Sequence, residues 1–248
     1  MEIALPALLT RNDPLQGADF EAGIILPVDK PAALSSFDVV HRIRRWCRVR
    51  KVGHSGTLDP AATGLLLLLT GKATRQQSSF MRLDKEYLAT ILLGVETNTW
   101  DLDGEIIARR QIPEIRRETI VALLNNQFTG EFEQTPPAFS ALKVGGVPSY
   151  RLARRGQAST PTPRRVIVHG IELQAWAPPE FTIKLSCSSG FYVRSLAQDV
   201  GQSLACGAVL KKLIRTRIGD YRLEDAWRLD ELEQILKTQQ LTKSTCPS

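Results

Sequence analysis

The sequence predicts an α+β fold. Two kinds of pattern carry that expectation, interleaved along the 248 residues. Some segments have apolar residues that alternate or run together between turn residues, as strands do, and others have apolar residues recurring every three to four positions, as helices do. A composition that is 43% hydrophobic and 23% charged supplies enough apolar surface for one large core or two modest ones. No internal repeat is visible, and no linker divides the chain.

Taken in order, residues 1–22 read as a loosely attached leader. "GIILPVDKP" (23–31) is a strand halted by a turn, and Ser35 or Ser36 can cap the helix that follows. In that helix Val39, Val40, Ile43 and Trp46 or Cys47 recur at helical spacing and face a core, so its arginines face out. "KVGHSGTLDPAATGLLLLLTGKATR" (51–75) is a Gly-punctuated loop holding His54 and Asp59 ahead of five leucines. Within it, Asp59-Pro60-Ala61-Ala62 has the form of a helix start, with Asp as N-cap and Pro at the first helical position.

"EYLATILLG" (86–94) reads as a buried strand. "PEIRRETIVALLNNQFTG" (113–130) reads as a helix with Ile120, Leu123, Leu124 and Phe128 on one side. A long excursion rich in Pro, Gly, Ser and Arg follows, and a loop of that length is functional or disordered. In "FTIKLSC" Phe181, Ile183, Leu185 and Cys187 alternate with polar residues until Ser188-Ser189-Gly190 breaks the strand, after which a helix runs through Leu196, Val200 and Leu204. Beyond Trp227 one short helix (229–236) and a polar tail are expected.

Several functions are excluded by the residues themselves. Gly64 and Gly71 are separated by six residues and Lys72 is followed by Ala73, so the GK pair has neither the spacing nor the hydroxyl of a P-loop. Glu2, the absence of Lys or Arg before Arg11 and the short apolar run exclude a signal peptide or membrane span at the start, and point to the cytoplasm. Cys47, Cys187, Cys206 and Cys246 are scattered, and none of His41, His54 and His169 stands near them at ligand spacing, so reduced thiols and no metal are expected.

The net charge of +6 is clustered. Arg42, Arg44, Arg45, Arg48, Arg50 and Lys51 form one group; Arg151, Arg154, Arg155, Arg164 and Arg165 a second; Lys211, Lys212, Arg215 and Arg217 a third. Any one such run is ordinarily a solvated face. Three in one chain favour a nucleic-acid partner, because guanidinium forks match phosphate oxygens and binding releases counterions.

"GHSGTLDPAATGLLLLLTGKATR" resembles the G-H-x-G-x-L-D-P-x-A-x-G pattern, with its following apolar run and G-x-A-T, of the TruB family of tRNA pseudouridine synthases. Four further blocks in the same order extend the resemblance. "DKPAALSSFDVVHRIRR" is similar to K-P-x-G-x-[TS]-S, with Ala33 where a Gly is usual, and "KEYLATILLGVETNTWDLDG" to K-x-Y…L-G…T-D-T-x-D-x-x-G, with Asn98 for the first Asp. "QTPPAFSALKVGGVPSYRLARRG" matches Q-x-P-P-x-[YF]-S-A-x-K…Y…A-R-x-G, and "CSSGFYVRSLAQDVGQSL" matches C-x-K-G-T-Y-[IV]-R-[ST]-L-x-x-D-[LI]-G, with Ser189 and Phe191 replacing Lys and Thr.

The resemblance implies a pseudouridine synthase fold, a mixed and mainly antiparallel sheet flanked by helices, over residues 23–222, with an RNA-clamping insertion at about 136–165. It implies isomerisation of uridine 55 in the T loop of tRNA by a monomer without cofactor or protein partner. Asp59 would be the catalytic aspartate, Tyr87 the ring stacking on the uracil, and Arg194 the partner of Asp59 in a network with Asp101. His54 would hold the rearranged RNA loop, Tyr192 and Leu213 would line the pocket, and Lys30 with Pro31 would buttress the catalytic loop. Arg42, Arg44, Arg45, Arg151, Arg154 and Arg155 would meet the RNA backbone.

That chemistry suits one carboxylate: the N1–C1′ bond breaks and a C5–C1′ bond forms, with the aspartate attacking C6 of the base or C1′ of the ribose. Two rival readings remain, a synthase acting on another RNA and a non-catalytic tRNA-binding or folding protein on the same fold. Many relatives carry a C-terminal RNA-binding module, and residues 223–248, read as a short helix and tail, give this chain the look of a short form.

Overall fold

The computed structural model describes residues 6–140, 143–144, 147–148 and 161–244. The chain divides into two compact units, one of residues 1–83 with 214–248 and one of residues 84–213. No linker marks the division because the strand Ala208–Ile218 runs unbroken through position 213.

In the first unit the strand Ile24–Lys30 lies antiparallel to Thr63–Thr70, from Ile25 opposite Leu69 to Lys30 opposite Gly64. Ala7–Leu8 and Trp227–Arg228 pair with Ile24–Lys30 in parallel, and Ile214 and Arg215 pair in parallel with Thr63 and Gly64. The leucine run is this unit's central strand, buried on both faces. Leu66 and Leu68 join a cluster with Leu26, Val28, Val39, Ile43 and Trp46, while Leu65, Leu67 and Leu69 join a second with Ile25, Phe80 and Ile218. A strand covered on both faces reads as a continuous apolar run rather than an alternation.

The helix Ser36–Trp46 starts as the sequence predicts, with Ser35 as N-cap in a capping box: its side chain accepts from the Asp38 N–H, and Asp38 reaches back to the Ser35 N–H. Its buried side is Ser36, Val39, Val40, Ile43 and Trp46. Two expectations fail in this unit. The leader is packed rather than loose from residue 6 onward: Ala7–Leu8 is a strand, the Trp227 Nε1–H donates to Leu9 O at 3.1 Å, and Leu15 and Phe20 are buried in the first cluster. A two-residue strand leaves too little periodicity to read. The last helix, expected over 229–236, runs Leu229–Ser244.

In the second unit four antiparallel strands lie in the order Lys85–Leu93, Glu180–Cys187, Arg164–Ala177 and Gly130–Gln134. Lys85–Leu93 alternates buried and half-buried residues instead of being buried throughout, because one face only packs on a core. The helix Arg117–Gln127 buries Ile120 and Leu124, with Phe128 just beyond it. The helix Val193–Ser203 buries Leu196, Ala197 and Val200. Phe191, a departure from the family pattern, is 8% exposed and meets Phe132 edge to face at 6.3 Å, so an aromatic contact stands where a hydroxyl was expected. Asn98, another departure, accepts the Glu105 N–H at 3.0 Å through its side-chain oxygen, as an aspartate there would.

Candidate active site

The Asp59 loop belongs to the first unit, and that unit ties its backbone down at four points. At Gly56 the carbonyl accepts from Arg215 Nη2 at 3.1 Å. At Leu58 the Ser36 hydroxyl serves both backbone groups, accepting the Leu58 N–H at 2.8 Å and donating to its carbonyl at 3.1 Å. At Pro60 the carbonyl accepts from Lys30 Nζ at 3.2 Å and from the Ala33 N–H at 2.9 Å. At Leu65, where the loop has become strand, the carbonyl accepts from Arg215 Nε at 2.7 Å. Thr57, Pro60 and Ala61 at the tip are exposed, and Asp59 is half-buried.

Asp59-Pro60-Ala61-Ala62 is a turn and not a helix start. The Ala62 N–H closes onto Asp59 O at 3.1 Å and the chain enters the strand Thr63–Thr70 one residue later. Local helix propensity yields there to burial of five leucines. The strand entry needs Gly64, whose φ of +101° disfavours any side chain and where a Cβ would lie 2.4 Å from Arg215 O.

Lys30 and Arg215 are the two buried cations of this arrangement. Lys30 Nζ donates to Pro31 O at 2.9 Å, Leu34 O at 2.6 Å and Pro60 O, so its three protons are matched by three carbonyls. Burial lowers its pKa to about 8, with the Arg215 charge pushing the same way and attraction to Asp59 opposing both. Arg215 is 1% exposed. Nothing in the sequence singles it out, since it sits in "KKLIRTRI" and reads as one more residue of a basic group. Burial along the strand follows no alternation that would reveal it: Arg215 and Ile218, three positions apart, are buried while Lys211, an even number of residues from Arg215, is exposed. Ser36 likewise reads in the sequence only as a possible cap.

His54 is half-buried and accepts the Gly56 N–H on Nδ1 at 3.2 Å. Burial first and the Arg215 charge second hold its pKa below the ordinary value, which leaves the ring neutral at pH 7. Ala33, where the family carries Gly, adopts φ +66°. A left-handed residue other than Gly costs about 1–2 kcal/mol, offset by about 0.4–1 kcal/mol of glycine's extra unfolded-state freedom. Ala33→Gly is therefore expected to stabilise the chain by about 0.5–1 kcal/mol and raise Tm by about 1–4 °C in a thermal melt. A lower Tm would show that the exposed turn carries no strain.

Tyr87, Asp101, Tyr192, Arg194 and Leu213 belong to the second unit. Arg194, 5% exposed, directs Nη1 to Thr99 O at 3.1 Å and Nη2 to Phe139 O at 2.9 Å, and Nη1 lies 3.5 Å from Asp101 Oδ2. Asp101 Oδ1 accepts from Thr99 Oγ1 at 2.5 Å and from the Asp103 N–H at 3.1 Å. Arg194 and Asp101 are thus joined to each other and to Thr99. Tyr192 is fixed by the Gln134 amide, which accepts its N–H at 2.8 Å and donates to its carbonyl at 3.0 Å, and the Arg164 guanidinium stands 4.8 Å from its ring centre. Tyr87 is 9% exposed on the strand Lys85–Leu93, and Leu213 is half-buried.

Arg42, Arg44 and Arg45 project from the helix Ser36–Trp46 into an open groove of about 1200 Å³ that Arg48 and Arg50 also line. Arg151, Arg154 and Arg155 lie outside the described residues. The start of the expected insertion is anchored, with Pro136 and Pro137 buried and Ser195 Oγ donating to Thr135 O at 2.7 Å, while Arg164 and Arg165 at its end are strand. Among the described residues no group of three or more His, Cys, Asp or Glu is placed to hold a metal, and no helix is long and apolar enough to cross a membrane.

The family model described as TruB family pseudouridylate synthase (N terminal domain) matches residues 44–193. A second, described as tRNA pseudouridylate synthase B C-terminal domain, matches residues 194–245, which include most of the helix and tail expected from the sequence to mark a short form. A protein of Opitutus terrae named tRNA pseudouridine synthase B is 46% identical over 211 residues, covering 85% of this chain and 87% of its own. Its namesake in Phocaeicola vulgatus is 43% identical over 229 residues, covering 90% and 97%. Among solved structures, a chain in the crystal structure of a Cbf5–Nop10–Gar1 complex superposes with a TM-score of 0.68 at 27% identity, over 87% of this chain and 54% of that one, so this chain spans about half of it. With one family model matching 150 residues and close relatives matching nearly end to end, the chain belongs to the TruB family of pseudouridylate synthases.

Proposed function

We propose that this pseudouridine synthase acts on tRNA, isomerising uridine 55 of the T loop, with Asp59 as the covalent catalyst. The observation that carries the assignment of Asp59 is the fastening of its loop: backbone bonds from Arg215, Ser36 and Lys30 on both sides of one half-buried carboxylate at an exposed tip. A nucleophile must be held within a fraction of an ångström of its target, and backbone tethers achieve that without consuming the carboxylate.

In the reaction the carboxylate attacks C6 or C1′, the N1–C1′ bond breaks, the base turns, C5 bonds to C1′, and the bond to the carboxylate breaks so that Asp59 is released unchanged. The proton on C5 is lost and N1 gains one, so no oxidant and no water is consumed. Tyr87 stacks on the extruded base, returning about 1–3 kcal/mol against the few kcal/mol of unstacking. Arg194, its fork already oriented by Thr99 O, Phe139 O and Asp101, pairs with Asp59. His54 presents its Nε2–H to the RNA loop, Tyr192 and Leu213 line the pocket, and Arg42, Arg44 and Arg45 meet phosphates.

The test is release of tritium from tRNA transcripts carrying 5-tritiated uridine. One equivalent of tritium per tRNA is expected, and none when uridine 55 alone is replaced by cytidine. Release that survives that replacement would reassign the target. Phosphate contact by the helix is tested by the salt dependence of binding. Arg44→Ala is expected to reduce the slope of log affinity against log salt by about 0.7–0.9 while leaving single-turnover rates at saturating RNA unchanged. An unaltered slope would take Arg44 off the RNA.

A further inference from the structure

The helix Ser36–Trp46 carries one apolar residue that neither its cap nor its core requires. Phe37 is 63% exposed, at the second helical position, between Ser36, which is buried, and Asp38, which completes the capping box. Single exposed apolar residues need no explanation, but this one is built into an ordered stack. The His41 ring stands edge-on to it, centres 4.4 Å apart and planes at 83°, and Arg44 Nη2 lies 2.9 Å from His41 Nδ1. With Arg44 donating, Nδ1 is the acceptor and the ring is held against rotation. The result is a Phe–His–Arg ladder at positions i, i+4 and i+7 of one helix.

Two features say what such a ladder would meet. His41 is shared with the groove of about 1200 Å³, lined by Arg42, Arg44, Arg45, Arg48 and Arg50 against only two carboxylates. Of those carboxylates, Asp38 is engaged by both the N–H and the hydroxyl of Ser35, and Glu233 is paired with Lys237 at 2.6 Å. Secondly, the ladder begins one residue from the Ser36 hydroxyl, which holds Leu58, the residue before Asp59. An exposed aromatic face beside an arginine-lined groove is the combination that binds unpaired nucleotides, the ring taking a base and the arginines the backbone.

We propose that Phe37, braced by His41 and Arg44, is a stacking platform for an unpaired base of the substrate RNA flanking the base on which the Asp59 loop acts. The inference rests on the functional reading above and adds a contact to it. Every base has a π-face, so the platform contributes affinity and orientation rather than readout of sequence.

A T-arm stem-loop RNA is titrated at one salt concentration against the wild-type chain and against Phe37→Ala, Phe37→Leu and Phe37→Tyr, each with thermal unfolding unchanged. Phe37→Ala and Phe37→Leu are expected to bind between about fivefold and a hundredfold more weakly, and Phe37→Tyr within about twofold of wild type. Replacing loop nucleotides one at a time by abasic units is expected to give one RNA that loses the same factor with wild type and nothing further with Phe37→Ala. Binding by Phe37→Ala or Phe37→Leu within twofold of wild type would overturn the platform, as would additive losses for every abasic RNA. Isomerisation of the same stem-loop by the wild-type chain reads the functional proposal separately, so the two fail by different measurements.

Discussion

Asp59→Asn is expected to bind RNA and unfold as the wild type does and to lose turnover by a factor on the order of 10⁴ or more, as removal of a covalent catalyst does elsewhere. The substitution is isosteric and leaves the backbone of the turn, with the Ala62 N–H on Asp59 O, as it was. What it removes is the negative charge that Lys30 feels. Lys30 keeps its three carbonyl acceptors and the attraction of Asp29 and Asp38, so the loop stays fastened while its cation becomes easier to deprotonate. Equilibrium titration and single-turnover tritium release on the same preparation separate binding from chemistry. A rate within tenfold of wild type would remove Asp59 from the mechanism.

How far the sequence reveals this molecule varies with the range of the interactions involved. The capping box at Ser35 and the alternation of "FTIKLSC" are local, and each reads directly as the element it forms. Asp59-Pro60-Ala61-Ala62 misleads because its four residues suit a helix, while the outcome is decided by the pairing of Thr63–Thr70 with Ile24–Lys30 and by burial on two faces. Arg215 is hidden for a related reason. Its contacts are to carbonyls 150 and 159 residues away in the chain, and no spacing rule connects them. The same distance hides the packing of residues 6–22, which is fixed by Ile25 O, Asp225 O and the Trp227 ring. The Asp59 motif itself was legible only as a family pattern, since a lone Asp-Pro in a Gly-rich loop carries no chemistry by its form.

The largest effect outside Asp59 is expected at Arg215. Arg215→Met keeps the length of the side chain and removes the fork, leaving Leu65 O and Gly56 O without these donors. Carbonyls stripped of a partner cost about 1–3 kcal/mol each, and relief of the like-charge repulsion with Lys30 returns part of that, so a net loss on the order of 3 kcal/mol is expected. Arg215→Lys keeps the charge but supplies one point donor for two carbonyls on opposite sides of the loop, and is expected to restore stability more than rate. Both variants should bind RNA normally, because Arg44 and Arg45 are untouched, and should lose turnover because the loop carrying Asp59 is held at Leu58 and Pro60 only. A role in folding alone would lower the amount of active chain without changing how the active fraction responds to pH. A positioning role predicts more. Lys30 loses its proton as pH rises through about 8, and with it the ionic attraction to Asp59, so the wild-type single-turnover rate should fall on that alkaline limb. Arg215 is one cause of that low value. Its neutral replacement should raise the Lys30 pKa and move the limb to higher pH, whereas Arg215→Lys, still cationic, should leave it near the wild-type position. A limb that stays fixed in Arg215→Met would mean that Arg215 and Lys30 do not act on the loop together.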